Sequence, residues 1–525
     1  MLKHYKAILA LALSLSAFSV WAVNSAEPQR QTIYVAATGN PSGTGASDAP
    51  FVLSAGREYE FNRLIRSATD AGKDVEVIFA SGTYQNVRLQ IIKQGIDSDS
   101  FYDLEEGPDA NGKKTMVFGK PYHYRSYSNC NNQGMNCRVE PADYALGPHS
   151  SARVVLKSAE LHQAIFDGKD FQTTNPDITN HALIIAGAYT NVIETGRTGI
   201  KSEPIKNIAV TGFVFRNYQN GIFVQHGLGI TIDDCIVENT GTHHSLSQDE
   251  DNYGVEGFSA KGDSQVVLVK NSKIINSWNT AGAPGLKGSK DWPGLMHAIY
   301  NGYSRDIIFI NNEVTGSSGP IVKFGNYPIS KNGRIIYQYG DKTWERRGFF
   351  IGNQFAMAPI TNNGETQAPY LPIEAFIHDN SQEKDGGGAT AATKGMVFLN
   401  NRFRNLLPGD AGAHVAFIRQ ELPVPGLRPN FPDFYFGGNV VEGVQPNRVL
   451  MHRSRGTPVS ADSAQADDPK GLGITLPTLN QLKVAPVDVG PTIDRLLTGP
   501  LRSPQTDRDQ LISTIIRTGE IPRMP

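Results

Sequence analysis

Apolar positions in the middle of the chain recur in a short, fixed pattern. Seven segments align without gaps: Ile208–Asn217, Ile230–Asn239, Val267–Asn276, Ile307–Gly316, Gly348–Met357, Met396–Asn405 and Phe434–Gly443. Each has a short alternating strand, a Gly or Asn break, and a second short strand. Alternation turns one face of a strand inward, and a Gly or Asn break tolerates the left-handed backbone of a sharp corner. Copies of such a unit stack in register, each pairing its strand edges with the copies on either side. Asn271, Asn312, Asn353, Asn401 and Asn439 at the corners are expected to form a ladder of amide hydrogen bonds along the stack. Short linkers without a helical period argue against βαβ units, and a corner motif repeated seven times argues against a β-sandwich. The pattern predicts an all-β solenoid, a parallel β-helix.

The spacing between copies sets out the decorations. The shortest step, from 208 to 230, approximates one bare coil. The excess in the others reads as insertion loops at 240–256, 277–296, 326–347, 358–373 and 381–394, the places where function usually resides. Before the repeats, a strand near Ile33, a helix over Tyr59–Ala71 and a strand over Val75–Phe79 read as a cap for the open end of the stack. After them the chain loses the repeat and gains proline, with a linker over 457–470 and short helices over Thr492–Leu497 and Gln510–Arg517. The expected divisions are 1–22, 30–150 for the cap and first coils, 151–453 for the solenoid core, and 454–525 for a Pro-rich extension.

Composition narrows the class of partner. The 525 residues include 53 glycines, which suits a turn-rich β protein. Formal net charge is −2, so no global field draws the chain to nucleic acid, and attraction for a polyanion must come from a local patch. Residues 1–22 read as a secretory signal: Lys3 and Lys6, an apolar run from Ala7 to Val20, then Ala22 at a cleavage position. That run is shorter than the ~20 residues a membrane span needs, and no second run is long enough. The expectation is a monomeric protein, secreted or periplasmic, with no membrane span once the signal is removed. Export permits a disulfide between Cys130 and Cys137, while Cys235, inside a repeat, reads as a buried free thiol.

Candidate chemistry lies in the stretch just before each corner motif. Those stretches carry Gln225 and His226, Lys261, Tyr300 and Asn301, Lys323, His378, Arg419, and His452 with Arg453. Stacked about 4.8 Å apart, they would make a ribbon of basic and hydrogen-bonding groups suited to the repeating carboxylates of a uronate-containing glycan. Gln225, His226, Lys323, His378 and Arg419 are the expected substrate-binding residues, and an acidic polysaccharide is the expected partner.

The strand leading to a Gly/Asn-rich turn and Ala49-Pro50-Phe51, the later Gly82-Thr83-Tyr84 and the Asn-cornered coils together resemble the pectin-lyase-like proteins, which implies a right-handed parallel β-helix with an N-terminal helical cap and long insertion loops. The resemblance covers about residues 32 to 450. Glu256 to Lys261 resembles the Glu-then-Lys segment of polysaccharide lyases of the chondroitinase B and alginate lyase type. In that family acidic residues hold calcium and the lysine removes a proton. Gly254 stands where the family has a second acid, and Tyr300-Asn301, with Arg305 a few residues on, stands where it has an arginine. The resemblance implies Lys261 as the base, with Tyr300, His297 or Arg305 as acid or carboxylate clamp. It also implies Glu256 with Asp249 or Asp251 as holders of a Ca²⁺ ion, if one is used. Three readings compete on the same scaffold. A glycoside hydrolase would need paired carboxylates, for which Asp233 and Asp234 are the tempting pair. A uronate epimerase and a non-catalytic polysaccharide-binding surface protein are the others.

Overall fold

The computed structural model describes residues 28–92, 102–108, 114–121, 152–169, 181–187, 204–241, 255–277, 296–317, 321–325, 330–335, 346–367, 374–377, 393–406, 416–420, 433–443, 450–460 and 486–525, apart from 219, 226, 262–263, 303, 332–333, 359, 363–364, 455–456 and 504. The chain is a right-handed parallel β-helix. One coil runs through three short strands, for example Ile205–Thr211, Val214–Arg216 and Asn220–Gln225, and the next begins at Gly227–Asp233. Successive coils pair strand on strand in parallel, giving sheets of eleven, nine and six strands among the described residues. We call these the first, second and third sheets, in the order a coil visits them.

The corners follow from backbone chemistry. At the break of each of the seven repeats one residue takes a left-handed conformation: Gly212, Asp234, Asn271, Asn311, Gly352, Asn400 and Gly438, with φ between 49° and 79°. Glycine, Asn and Asp bear that conformation at the least cost. The next residue points inward and forms the ladder. The backbone N–H of Ser272 donates to Asn312 Oδ1 at 2.9 Å, that of Asn312 to Asn353 Oδ1 at 2.9 Å, and those of Asn353 and Asn401 to the next Oδ1 at 2.8 Å. Each Nδ2 also donates to a carbonyl of its neighbour coil, such as Asn353 to Phe309 at 3.0 Å. The sequence expectation needs one correction. Asn271 occupies the left-handed break itself and reaches out to Asp233 at 2.9 Å, so Ser272 is the rung of that coil. Each corner holds two residues, and only the second faces the interior.

A buried amide with this many partners carries stability. Asn353→Ala takes the side-chain partner from the Asn312 backbone N–H and from the Phe309 carbonyl, while Asn312 Nδ2 keeps the Val269 carbonyl at 2.9 Å. At about 1–3 kcal/mol per orphaned group, the variant should lose about 3 kcal/mol or more in urea unfolding. A loss under about 0.5 kcal/mol would mean that the ladder contributes little.

Inside the coils, aromatic rings stack along the axis. Phe309, Phe350 and Phe398 lie 5.2 and 4.7 Å apart and nearly parallel, as do Phe355 and Phe403 at 5.2 Å. Cys235 is buried in the same core on an earlier coil, its thiol pushed up to about 12 by desolvation, which makes it an inert core residue. Helix α1 (Glu58–Asp70) closes the N-terminal end. Phe61, Ile65 and Ala68 recur at helical spacing and pack on the same core as Phe51 and Phe79.

The C-terminal segment carries two helices where the sequence suggested short ones. Helices α2 (Val489–Thr498) and α3 (Thr506–Thr518) lie on the outer face of the first sheet. Ile493, Leu496, Leu497, Ile512, Ile515 and Ile516 are buried against Val266, Leu268, Ile308, Phe349, Val397 and Leu399. Residues 486–525 thus form a strap along the solenoid. It starts at Asn400, whose side chain pairs with the Val487 backbone, and ends at Asn207 with Met524, while Arg523 reaches Asp74 in the first coils. The stretch expected as a linker from 457 is also partly ordered, since Thr457–Ser460 pairs antiparallel with Leu450–Ser454. Two of the expected insertion loops carry short hairpins, Ser330–Lys331 with Arg334–Ile335 and Ile360–Asn362 with Glu365–Gln367. Cys130, Cys137 and the N-terminal segment 1–22 lie outside the described residues.

Candidate functional site

Two of the three faces of the solenoid are accounted for among the described residues. The first sheet carries the strap. The second carries salt-bridged surface side chains: Lys273 with Glu313 at 3.0 Å, Arg402 and Arg404 with Glu442 at 2.6 and 3.1 Å, and Arg216 with Asp167 at 2.8 Å. Such pairs are worth little in stability, but they match several of the charges on that face. The third sheet is different.

Its strands are Leu89–Ile92, His181–Ala186, Asn220–Gln225, Val255–Lys261, Met296–Gly302 and Val322–Gly325, with Glu374–Ile377 lying next along the axis. Each of the middle four bends near its start, at Ala182, Gly221, Gly257 and Ala298, so that two successive residues face the core. Gly221 and Gly257 are required there. A Cβ at Gly221 would sit 2.1 Å from the Gly257 carbonyl oxygen, and one at Gly257 would sit 2.5 Å from an Ile274 methyl. Because of the bend, the residue before it and those at alternate places after it share the outer face.

Three outward columns result. The first is His181, Asn220, Glu256 and His297, all buried. Asn220 Oδ1 accepts the Glu256 backbone N–H at 2.8 Å, and Glu256 is directly paired in register with His297. The second is Gln90, Ile184, Phe223, Ser259 and Tyr300, with position 323 next in backbone register. The third contains Ala186 and Gln225, with positions 261 and 302 following in backbone register. Rings tie the first two columns together: His297 stacks on Tyr300 with centroids 5.3 Å apart, and His181 lies 4.7 Å from Phe223. Ser259 Oγ and Gln90 Nε2 are buried without a hydrogen-bond partner. A polar atom in that condition costs free energy until something satisfies it.

The expected residues sort as follows. Lys261, Tyr300, His297 and Glu256 fall on neighbouring strands of this one face, with Gln225 directly beside Lys261. Lys323 is in register with Tyr300, two positions from the Gln225 column, so the ribbon is a pair of columns rather than one. Arg305 is not with them. It begins the next strand of the first sheet, paired with Gln265, because the chain turns the corner at Ser304. Asn301 helps make that turn, its Oδ1 accepting the Ser304 N–H at 3.1 Å. Arg419 stands on the strand Ala416–Gln420, in a separate four-stranded sheet. His226, His378, Asp249 and Asp251 lie outside the described residues. Asp233 and Asp234 do not face a cleft. They sit at a corner between the first and second sheets, Asp233 with Lys270 at 3.2 Å and Asp234 with His162 at 3.1 Å. Sequence reasoning passed over Asn220, Phe223, Ser259 and Gln90. Counting alternate positions back from Gln225 and Lys261 would have reached Phe223 and Ser259.

Calcium takes six to eight oxygens. Among the described residues no cluster of three His, Cys, Asp or Glu side chains is placed to hold a metal ion. Glu256 with Asn220 gives too few donors, so these residues do not by themselves fit a calcium cage. No helix among the described residues is long and apolar enough to cross a membrane.

Fold and face together define a right-handed parallel β-helix protein with one polar, aromatic-lined flank. No family model matches the chain, and no curated protein matches it. Solved structures similar to it include the pectate lyase Pel9A, 11% identical over 81% of this chain and 79% of that one, with a TM-score of 0.39. An alginate lyase from Paenibacillus sp. str. FPU-7 is 11% identical over 75% and 97%, with a TM-score of 0.32. A rhamnogalacturonan lyase is 10% identical over 82% and 79%, with a TM-score of 0.33. Likeness at this level carries no argument about reaction or substrate.

Proposed function

We propose that the protein is an exported polysaccharide lyase that cleaves a uronate-containing glycan by β-elimination at the third sheet. The observation that supports this reading most directly is the convergence of Lys261, Tyr300, His297 and Glu256 on neighbouring strands of one face. A hydrolase reading loses its carboxylate pair, since Asp233 and Asp234 are engaged at a corner.

The chemistry assigns each residue a task. The C5 proton of a uronate is weakly acidic until the adjacent carboxylate is held by donors that meet the charge growing on it. Gln225, beside Lys261 in its column, and His297 are the donors in this scheme. Lys261, in its neutral form, takes the C5 proton. The C–H electron pair becomes the C4–C5 double bond, and the bond from C4 to the glycosidic oxygen breaks with its pair on oxygen. Tyr300 protonates that oxygen as it leaves, its ring held by His297. The products are one new reducing-side fragment with an unsaturated end and one with a restored hydroxyl, so atoms and charge balance without an oxidant.

A screen of alginate, pectate, glucuronan and glycosaminoglycans, each with and without chelator, tests the proposal. Ultraviolet absorbance from unsaturated ends on at least one polymer is the expected result. Saturated reducing ends would make the protein a hydrolase. Altered stereochemistry at constant chain length would make it an epimerase. Retention that salt reverses, with no shortening, would make it a binding protein.

A further inference from the structure

In a stack of coils each unit rests only on its neighbours, so the stack can fray coil by coil from an end. The strap adds contacts of another kind. From Asn207 to Tyr435 it spans seven successive strands of the first sheet, Ile205–Thr211 to Asp433–Gly437, a height of about 29 Å at about 4.8 Å per step. At the last coils Tyr435 and Val487 join the apolar seam, and the Val487 backbone pairs with Asn400 at 2.9 Å. In the middle, α2 and α3 cover Val397, Phe349, Ile308 and Leu268, which stand on four successive strands. At the near end the buried Asn207 holds the Met524 backbone at 2.7 and 3.0 Å, and Lys206 reaches the Pro525 carbonyl at 2.6 Å. Arg523 reaches further, to Asp74, through an exposed pair worth little.

We infer that the strap ties the last coils to the middle of the solenoid, so that these seven coils open and close as one unit instead of fraying one at a time. The argument is one of connectivity. Arg508 on α3 bonds Asp306 and Gln265, while Arg347 bonds Asp306 and Asp509. One buried cluster therefore joins the strap to three neighbouring strands, those that carry Gln265, Asp306 and Arg347. Opening any one of those coils leaves buried charges on the others without a partner. A coil supported by stacking alone meets no such cost when its neighbour opens.

A second observation shows that the coils are shaped to receive the strap at both of its ends. Gly229 and Gly438 are both left-handed, at φ 70° and 64°. A Cβ at Gly229 would lie 2.4 Å from Met524 Cγ, and one at Gly438 would lie 2.8 Å from the Val487 nitrogen. Side chains at those two corners would hold the strap off the sheet. The coupled coils also carry Asn220–Gln225, Val255–Lys261 and Met296–Gly302, so the strap fixes from the opposite side the register on which the third-sheet columns depend. The inference stands whatever reaction the third sheet performs.

Hydrogen exchange of the full-length protein, in urea too dilute to unfold it, reads the slowest amides of each first-sheet strand. In the wild type, protection at Ile208–Val210, Val267–Val269 and Phe434–Phe436 should agree within about three-fold and share one urea dependence, because a single opening exposes them all. Leu496→Asp combined with Ile515→Asp changes strap residues alone and sets two carboxyls in the seam. Protection at Phe434–Phe436 should then fall at least about 100-fold below that at Val267–Val269, and the single urea transition should split. Should that variant fail to fold, Leu496→Ala is the milder change, with a difference of at least about ten-fold expected. A wild-type gradient steeper than about ten-fold toward Phe434 overturns the inference. So does a folded strap variant whose protection falls evenly along the coils.

Discussion

Lys261→Ala lowers the rate of unsaturated-end formation by about 10²–10⁴-fold, the usual worth of a general base, and leaves the coil intact. Two arguments carry this expectation. Position 261 pairs with Gln225 and Gly302 through its backbone, which alanine preserves, so the strand should persist. Proton removal from C5 is the step that the remaining residues cannot replace, since Tyr300 is assigned to the leaving oxygen and Gln225 to the carboxylate. A lysine acts as base only when uncharged, so the wild-type rate should rise with pH along a limb that the variant lacks. Steady-state rates across pH, on the best polymer from the screen, check both parts. A variant with near-normal activity, or one that keeps the rising limb, removes Lys261 from the mechanism. His297→Ala makes a useful companion. It should reduce the rate through Tyr300 and carboxylate binding while keeping the alkaline limb.

The second large effect concerns stability. Arg347→Ala should cost about 3–5 kcal/mol, the penalty for breaking one partner out of a buried ionic group. Arg347 is almost wholly buried and bonds Asp306 at 2.5 Å, Asp509 at 2.5 Å and the Leu501 carbonyl at 2.8 Å. Arg508 on α3 bonds the other Asp306 oxygen and reaches Gln265 at 2.7 Å. Two arginines and two aspartates thus fasten the strap to the first sheet, and removing Arg347 leaves both carboxylates partly unpaired beneath the helices. Hydrogen exchange should rise first in residues 486–525 and in the outer face of Val266 to Leu399, because the strap would open before the coils do. Arg523→Ala, on the half-exposed pair with Asp74 near the strap's end, should cost less than about 1 kcal/mol. Equal effects from the two substitutions would mean that the buried cluster has no special weight.

The same cluster sets a pH dependence. Burial alone would raise the Asp306 carboxyl, but the Arg347 and Arg508 guanidiniums outweigh it and hold it below the usual carboxylate range. Arg347 in turn is held charged by Asp306 and Asp509 in spite of its desolvation. A carboxyl depressed in the folded chain adds stability that is complete above its unfolded value, about 3.9, and fades as pH falls through its folded value. The strap should therefore stay fastened at neutral and mildly acidic pH and loosen only in strong acid.

Particular residues mark how far the sequence could be read. The repeat and its corners were legible because both depend on local backbone chemistry. Gly212, Asn271, Asn311, Gly352, Asn400 and Gly438 are residue types that adopt left-handed conformations, and each recurs between two apolar runs. The helices were legible from their periods, and the structure places α1 and α3 within a few residues of the expected spans. Asn271 was misassigned as a rung because each corner has two residues, and composition alone does not say which faces in. The strap was missed although a signal existed. Val266-Val267-Leu268, Ile307-Ile308-Phe309 and Phe349-Phe350-Ile351 are continuous apolar runs, the mark of strands buried on both faces. They were read only for their inner halves.

The site divides along the same line. Lys261, Tyr300 and His297 could be singled out as candidates from residue type and from their place before the corners. Their grouping on one face, the direct pairing of Glu256 with His297, and the exclusion of Arg305 were not, because they depend on register between strands roughly forty residues apart. A slip of one residue reverses a side chain's face, and the bends at Gly221 and Gly257 shift that count in a way no period reveals. By itself, then, the sequence determined the coil, because coil and corner are local properties of a few residues and repeat many times. Only the tertiary structure decided which face is covered by the strap, which carries paired charges, and which brings the polar and aromatic columns together, because each of those outcomes joins residues that meet only after the chain has wound.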